Sequence, residues 1–482
     1  MRDTASDRIH DVEARSAGFR KELGLRDLVL TQILYVVGSA WVGTAAVLGR
    51  SHIAFWLMAI ALYYLPQAVV VVYLNRLMPL EGGLYQWARI GFGRFIGFLT
   101  AWNLWAYTIV VMATFAVVIA TNIAYLIGPA GASVTGAWWY TPAVSTAAIA
   151  AVTVVSVLGL RVGKWLQNVG AAAHLITFAA LIIVPFVAVR RGLLADYHPL
   201  DASMPAFTLL SLNIFGKMAL GALSGFEYVA ILAGECRSPA RTIGRSVVFA
   251  VPIIALMFIL GTGSTLALVP PGQIDLVSPI PQTLTIGFRG LGFAGLIVPA
   301  LILLLLMRQV GAVALIFAGN TRLPMVAGWD GLLPGWFTRL HPRFRTPINS
   351  ILFVGVITLG FTLAGQVGVG VQEAFQLLEN AAGILYAFTY LALFAIPLFA
   401  ARRMARRPPL WLRIAAGSGF AVSALYSVLS IFPIIDVPSW RSFSLKILAV
   451  LVVVQLVGVA FYGAGRRRAA RSDALTEIPS KS

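Results

Sequence analysis

Apolar residues fall in twelve long stretches along the chain, separated by short polar segments. Each stretch is long enough for a helix that crosses a bilayer, which takes about twenty residues. The pattern predicts spans at 28–49, 53–78, 95–128, 139–160, 165–189, 206–234, 246–269, 290–318, 348–369, 374–400, 410–434 and 443–464. The chain is therefore predicted to be an all-α polytopic membrane protein with twelve transmembrane helices.

Two of these stretches are interrupted in the middle. The stretch 28–49 contains Gly-Ser-Ala-Trp-Val-Gly at 38–43, and the stretch 206–234 contains Gly-Ala-Leu-Ser-Gly-Phe-Glu at 221–227. Where a membrane helix loosens, its half-helix ends and freed backbone groups can face a substrate instead of lipid. The two breaks predict the binding site of a transporter.

The positions of the breaks, in spans one and six, also suggest how the chain is divided. A repeat of five helices places its second copy in the opposite orientation. We predict a tail at 1–26, a first inverted repeat at 27–205, a second at 206–400, two further helices within 401–464 and a tail at 465–482. No stretch between the spans is long enough for a soluble domain.

Composition and charge agree with a membrane protein. The chain is 59% hydrophobic and 11% charged, with a mean hydropathy of +0.87, whereas soluble domains carry about 25% charged residues. The net charge of +18 reflects topology, because 17 Lys and Arg lie in the inner loops and five in the outer loops when the N-terminus is inside. This bias predicts that both termini lie in the cytoplasm. The expected location is the cytoplasmic (inner) membrane, and the bias argues against a nucleic-acid partner.

Four segments carry a family resemblance. They are Gly-Ser-Ala at 38–40, Pro-Leu-Glu-Gly-Gly-Leu-Tyr at 79–85, Ser-Gly-Phe-Glu at 224–227, and the stretch 321–334 from Thr-Arg-Leu-Pro to Asp-Gly-Leu-Leu-Pro. Over roughly residues 24 to 400 the chain resembles permeases of the amino acid-polyamine-organocation superfamily, especially bacterial amino acid permeases and glutamate/GABA-antiporter-like members. The resemblance implies a LeuT-type 5+5 inverted repeat with broken helices 1 and 6.

The first break offers groups for a substrate carboxylate. Amides at the start of a half-helix attract an anion, so we predict that the Ser39, Ala40 and Trp41 amides, with the Ser39 hydroxyl, bind it. Gly38 and Gly225 are predicted to shape the two breaks, and close helix packing is the alternative for both.

The resemblance adds acceptors for the substrate ammonium, namely carbonyls near Val36, Gly221 and Ser224. Two positions depart from the family pattern, because Ala40 replaces a usual glycine and Gly221 replaces a bulky aromatic gate. Trp41 is a candidate replacement wall. On the third span, Asn103 is the preferred candidate for contact with the substrate side chain.

Ionisable residues inside a membrane mark ion or substrate pathways. We predict proton coupling at Glu227 and at His174, whose position matches a lysine that stands in for a sodium ion in some relatives; sodium coupling is therefore disfavoured. A structural glutamate and a neutral, hydrogen-bonded histidine are the alternatives. Lys217 and Arg308 are assigned a charge or gating role, with Glu379 as a partner for Arg308.

The expected function is secondary active transport of amino acids, with neutral or acidic ones favoured and protons as the coupling ion. An obligatory exchanger, an amine or polyamine permease and a nutrient sensor remain alternatives. An enzyme is not expected, because the five histidines are scattered and the chain has no His-Glu-x-x-His or Gly-Lys-Ser/Thr motif. No cofactor is expected, and a homodimer is left open.

Overall fold

The computed structural model describes residues 24–78, 83–128, 131, 133–134, 137–158, 160–226, 239–292, 294–329, 336, 339, 341, 346–400 and 407–476. Within these ranges the chain is helical apart from its connecting segments, such as 191–208. In the first half the helices are α1 (Leu25–Val36), α2 (Ser39–Ala46), α3 (Gly49–Leu77), α4 (Leu84–Phe92), α5 (Arg94–Ile127), α6 (Tyr140–Leu158) and α7 (Leu160–Arg190).

The second half continues with α8 (Leu209–Ala222), α9 (Pro239–Leu268), α10 (Pro279–Gly287), α11 (Ala294–Trp329), α12 (Ile348–Gln366), α13 (Val371–Phe399), α14 (Leu410–Leu429) and α15 (Trp440–Thr476). Among the described residues, ten helices are long and apolar enough to cross a membrane, or eleven when the bent pair α1–α2 is taken as one span. The shorter α8 begins the predicted sixth span, whose continuation at 227–234 lies outside the described residues.

The first predicted break is the bend between α1 and α2. The helix axis turns by 48° there. Val37 and Gly38 have extended backbone, with ψ of 90° and 136°, so the ladder of helical hydrogen bonds stops and restarts. A β-branched residue followed by glycine suits this turn, since valine favours extended backbone and glycine adds no side chain.

The second predicted break follows α8. The last turns of α8, Lys217–Ala222, form a π-helix, a feature that often marks functional sites. Ser224 and Gly225 then leave the helix, and Gly225 has a φ of +115°. A side chain is strongly disfavoured in that conformation, so the break depends on glycine.

The helices around the breaks form the centre of the molecule. Pairs in close contact include α7 with α11, α5 with α13, α11 with α5 and α9 with α1. Helices α5 and α13 are the most buried of the long helices, whereas α15 exposes most of its apolar surface. That exposure is expected of a helix at the lipid-facing edge.

Two short helices were not predicted. Helix α4 connects α3 to α5, and α10 lies in the connection between α9 and α11. Pro279 at the start of α10 packs on α2, where a Cβ added at Gly43 would lie 2.8 Å from the proline. Gly43 therefore serves close packing between α2 and α10.

Candidate functional site

A cavity of about 80 Å³ lies where the two breaks meet. The first break lines it with Gly38, Ser39, Ala40 and Trp41, and the second with Gly221 and Ser224. Helices α5, α11 and α13 complete the wall; from these helices the lining residues include Tyr107, Val111, Thr114, Phe115, Val118, Arg308, Gln309, Ile316, Phe375, Glu379, Gly383 and Tyr386. The structure thus brings most of the residues predicted for substrate binding to one place.

The start of α2 faces this cavity with uncapped backbone. Its N-cap residue, Gly38, has no side chain to bond the first amides, and the Ser39 side chain is buried at the cavity wall. The first amides of a helix have no partner within the helix and carry the positive end of its dipole. This wall can bind an anionic group such as a carboxylate.

The end of α1 is held by a buried cation. The Arg308 guanidinium of α11 donates hydrogen bonds to the carbonyl oxygens of Leu34 at 3.2 Å and Val37 at 2.8 Å. The Arg308 side chain is only 1% exposed. These carbonyls are the unpaired acceptors of a helix C-terminus, where a positive charge is stabilising.

Trp41 bridges the two breaks. A Cβ added at Gly38 would lie 2.5 Å from one edge of the indole, and a Cβ added at Gly221 would lie 2.5 Å from the other. A larger residue at position 221 would therefore overlap the ring. This arrangement gives a physical reason for the glycine at 221, because Trp41 forms the cavity wall there.

The second break is held by neutral side chains from α3 and α13. The Tyr63 and Ser224 hydroxyls are 2.9 Å apart, and the Gly225 amide donates to the Tyr390 hydroxyl at 3.0 Å. With the amide of Gln67 oriented to satisfy its neighbours, Gln67 donates to the Leu223 carbonyl at 3.1 Å and accepts from the Phe226 amide at 3.3 Å. The backbone groups that this break frees from helical hydrogen bonding therefore bond within the protein.

Besides Arg308, two oppositely charged residues, Lys217 and Glu379, lie close together beside the cavity. Lys217 in the π-helical turn is 1% exposed, and its ammonium hydrogen-bonds the side-chain oxygen of Asn380. Glu379, the neighbour of Asn380 on α13, interacts electrostatically with Lys217 and lines the cavity. The expectation that Glu379 pairs with Arg308 is wrong, because Arg308 binds backbone carbonyls instead.

His174 lies beside the first break but does not line the cavity. Its buried ring is close to the Val37 backbone and the Arg308 guanidinium, and it makes an edge contact with Phe178 at 4.7 Å. The positive group that bonds the α1 carbonyls is thus Arg308 and not His174.

Asn103 lies away from the cavity. Its amide donates to the Leu99 carbonyl at 2.8 Å and pairs with the Gln455 amide of α15. The buried Asn103 amide does have a polar partner, but that partner is the Gln455 side chain and not the substrate. We therefore do not retain Asn103 as a substrate ligand. Glu227 lies outside the described residues.

Several residues of the site were not predicted from the sequence. Tyr63, Gln67 and Tyr390 hold the second break. Glu379 was expected to pair with Arg308, and its place in the cavity wall was not predicted. The only available signal was polarity, since each is a polar or amphipathic residue inside an apolar stretch. That signal does not tell which element such a residue contacts.

Comparison with known proteins agrees with this geometry. A family model described as amino acid permease matches residues 25–455. The chain is 26% identical to an uncharacterized transporter of Legionella pneumophila, over 78% of this chain and 80% of the relative. It is 24% identical to the human b(0,+)-type amino acid transporter 1, over 90% of this chain and 86% of the relative. It is 23% identical to the Bacillus subtilis branched-chain amino acid permease BcaP, over 78% of this chain and 84% of the relative.

A solved structure of similar fold is that of MhsT in complex with L-phenylalanine. The TM-score is 0.60 at 14% sequence identity, covering 86% of this chain and 99% of the other. MhsT has the LeuT fold, so the fold class predicted from the sequence is confirmed. The predicted count of twelve transmembrane helices is not confirmed, since the described residues contain ten or eleven candidate spans.

Proposed function

This chain belongs to the amino acid permease family and is an amino acid transporter with a LeuT-like fold, and we propose that it carries a small neutral amino acid by alternating access. The observation behind this proposal is the cavity between the two breaks. Its volume is about 80 Å³. Pockets for drug-sized ligands measure about 300–1,000 Å³, so this volume favours a small substrate such as glycine, alanine or valine.

The amides at the start of α2 are proposed to bind the substrate carboxylate. Ser39 adds a hydroxyl at the same wall, and Ala40 and Trp41 line the cavity beside it. A carboxylate there accepts several hydrogen bonds from fixed donors without a charged side chain. Trp41 limits the space for the substrate side chain, because it occupies the region above Gly221.

Proton coupling is the second part of the proposal. Glu227 and His174 remain the candidate proton sites, and the position of His174 beside Arg308 and Val37 supports a link to the first break. A fixed guanidinium on the α1 carbonyls disfavours a metal cation at that place, since like charges repel in a low-dielectric interior. We therefore expect transport that does not need sodium.

The surrounding arrangement follows from the family and the charge pattern. We propose that the transporter spans the cytoplasmic membrane with both termini inside, and that residues 27–205 and 206–400 form the two inverted repeats. The positive loops support this orientation.

The test is uptake of labelled glycine, alanine, valine, glutamate and putrescine into proteoliposomes, with and without an inward proton gradient. We expect alanine or another small neutral amino acid to accumulate in empty vesicles when the gradient is present. Uptake only into vesicles preloaded with amino acid would establish obligatory exchange instead. Binding of an amino acid without any flux would indicate a sensor, and transport of putrescine alone would indicate an amine permease.

A further inference from the structure

Glu379 lies on the face of α13 that borders the cavity. That face carries Phe375, Glu379, Gly383 and Tyr386, at intervals of four, four and three residues, and all of them line the cavity. Such intervals place side chains on one side of a helix. The carboxylate is therefore part of the cavity wall, together with two aromatic side chains.

The carboxylate has nearby charges but no bonded partner among the described residues. Lys217 supplies an opposite charge from α8, yet its ammonium bonds Asn380, and Lys217 does not line the cavity. Tyr426 of α14 approaches the same region against Gly383, and Arg308 lies at the end of α1. No described residue donates a hydrogen bond to Glu379. Its oxygens remain able to accept from a ligand.

The carbonyls at the first break, by contrast, already accept hydrogen bonds. Arg308 donates to Leu34 and Val37, and the Gly38 amide donates to the Val36 carbonyl at 2.9 Å. A second cation next to the guanidinium would be opposed by charge repulsion. Arg308 therefore makes the first break less favourable for the cationic group of a substrate, and a carboxylate on the cavity wall is a stronger acceptor for that group than a neutral carbonyl.

We propose that the Glu379 carboxylate binds the ammonium group of the substrate. The substrate then lies with its carboxylate at the start of α2 and its ammonium at α13. A charge-assisted hydrogen bond is roughly twice as strong as a neutral one, and the Tyr386 ring on the same face, stacked on Tyr107 at 3.9 Å, adds an aromatic surface that favours cations. This inference rests on the proposed function, since it specifies how the transporter recognises its amino acid.

The inference explains the buried Lys217. An isolated carboxylate in the membrane interior is costly, and a buried lysine nearby compensates its charge. The Lys217 ammonium bonds Asn380, and neither residue lines the cavity, so the carboxylate oxygens of Glu379 stay available. Lys217 is therefore a positioning residue, and it does not contact the substrate.

The experiment measures binding of labelled alanine to purified full-length protein, with ethylamine and propionate as competitors. Ethylamine keeps the ammonium and propionate keeps the carboxylate. We expect ethylamine to compete in the wild type, and Glu379→Gln to weaken alanine binding at least tenfold and to abolish competition by ethylamine. The matched control is Glu373→Gln on the same helix, because Glu373 lies near Lys446 and outside the cavity wall. The affinity of this variant for alanine should stay within twofold of that of the wild type.

A second variant separates recognition from folding. Glu379→Gln alone leaves Lys217 uncompensated, so the double variant Lys217→Met/Glu379→Gln removes both charges and restores neutrality. We expect the double variant to elute as a single folded species and still to bind alanine at least tenfold more weakly. Restored binding in the double variant would show that Glu379 acts only as a partner for Lys217, and would overturn the inference.

Two further outcomes would also overturn it. One is unchanged alanine affinity in Glu379→Gln with loss of proton-driven uptake, which would make Glu379 a proton site. The other is competition by propionate but not ethylamine in the wild type. If the wild type bound neither alanine nor another amino acid or amine of the panel, the proposed function would fail together with this inference. If the wild type bound and transported alanine and Glu379→Gln changed neither, only the inference would be contradicted.

Discussion

The two helix breaks solve the same problem with different chemistry. At the first break a charged side chain, Arg308, donates to the last carbonyls of α1, and the first amides of α2 stay open to the cavity. At the second break Tyr63, Gln67 and Tyr390 bond the loosened backbone with neutral groups. The comparison teaches that an interrupted helix is not automatically a ligand site. What matters is which backbone groups its neighbours leave unbonded.

The largest expected effect comes from Gly225→Ala in the second break. The φ of +115° disfavours any side chain, at a cost of about 1–3 kcal/mol. The added Cβ would also lie 2.1 Å from the Tyr35 ring. We expect little folded protein and no measurable uptake, as seen by size-exclusion chromatography and transport assays.

The matched control for Gly225→Ala is Gly49→Ala. Gly49 also has a positive φ, of +58°, but a Cβ added there would meet nothing within 4 Å. The control should therefore fold and lose only about 1–2 kcal/mol of stability. Equal behaviour of the two variants would contradict the account of the second break.

The next largest effect is expected for Arg308→Met in the first break. The change leaves the Leu34 and Val37 carbonyls without their charged donor, and such bonds contribute about 1.5–3 kcal/mol each. We expect at least a hundredfold loss of uptake and a lower thermal midpoint of unfolding. Both are measured on the purified, reconstituted protein.

Arg191→Met is the control with the same chemistry outside the site. Arg191 donates to the carbonyls of Arg289 at 2.8 Å and Gly290 at 2.9 Å, but it is exposed. Near-normal uptake is expected for this variant. A variant of Arg308 that transports as well as the Arg191 variant would show that the guanidinium does not hold the first break.

Trp41→Ala tests the wall that joins the two breaks. Removing the indole frees the space beside Gly38 and Gly221. We expect uptake to shift towards larger amino acids such as leucine and phenylalanine, by tenfold or more relative to alanine, since filling apolar space selects by about 1–3 kcal/mol per methylene. Competition of each amino acid against labelled alanine measures the shift.

The control is Trp102→Ala on α5, whose indole donates to the Val454 carbonyl away from the cavity. It should leave the order of substrate preference unchanged. The same preference in both variants would mean that Trp41 does not limit substrate size.

The smallest effect is expected for Asn103→Leu, which lies outside both breaks. Its amide bonds Gln455, and interhelical bonds of this kind in membranes contribute about 0.6 kcal/mol on average. We expect a small drop in thermal stability and unchanged substrate preference. Adding Gln455→Leu should recover the stability, because both amides are then absent. A changed preference would return Asn103 to the list of substrate ligands.

The sequence predicted the fold class and both breaks well because each depends on local signals. Glycine inside an apolar stretch marks a loosened helix, and twenty apolar residues mark a span. The pairing of the charged residues was harder to predict. Arg308 and Val37 are separated by 271 positions, and Lys217 and Asn380 by 163. Such contacts depend on which helices become neighbours, and hydropathy does not report this.

For the same reason Asn103 was assigned to the cavity. The third span does line it, through Tyr107, Val111 and Thr114. Asn103 lies on the same side of the helix but one turn before Tyr107, where its amide bonds Gln455 of α15. The sequence does not tell at which turn of the helix the cavity ends and the contact with α15 begins. Glu227 and His174 remain predictions as proton sites, and the first break now includes a cation that the sequence did not place.

The most direct test of this account is uptake of labelled alanine by the wild-type protein in proteoliposomes, with sodium in the medium and with sodium replaced by choline. An amino acid transporter whose first break is held by Arg308 should take up alanine equally well in both media. Uptake that stops when sodium is removed would mean that transport needs a metal ion, and would contradict this expectation.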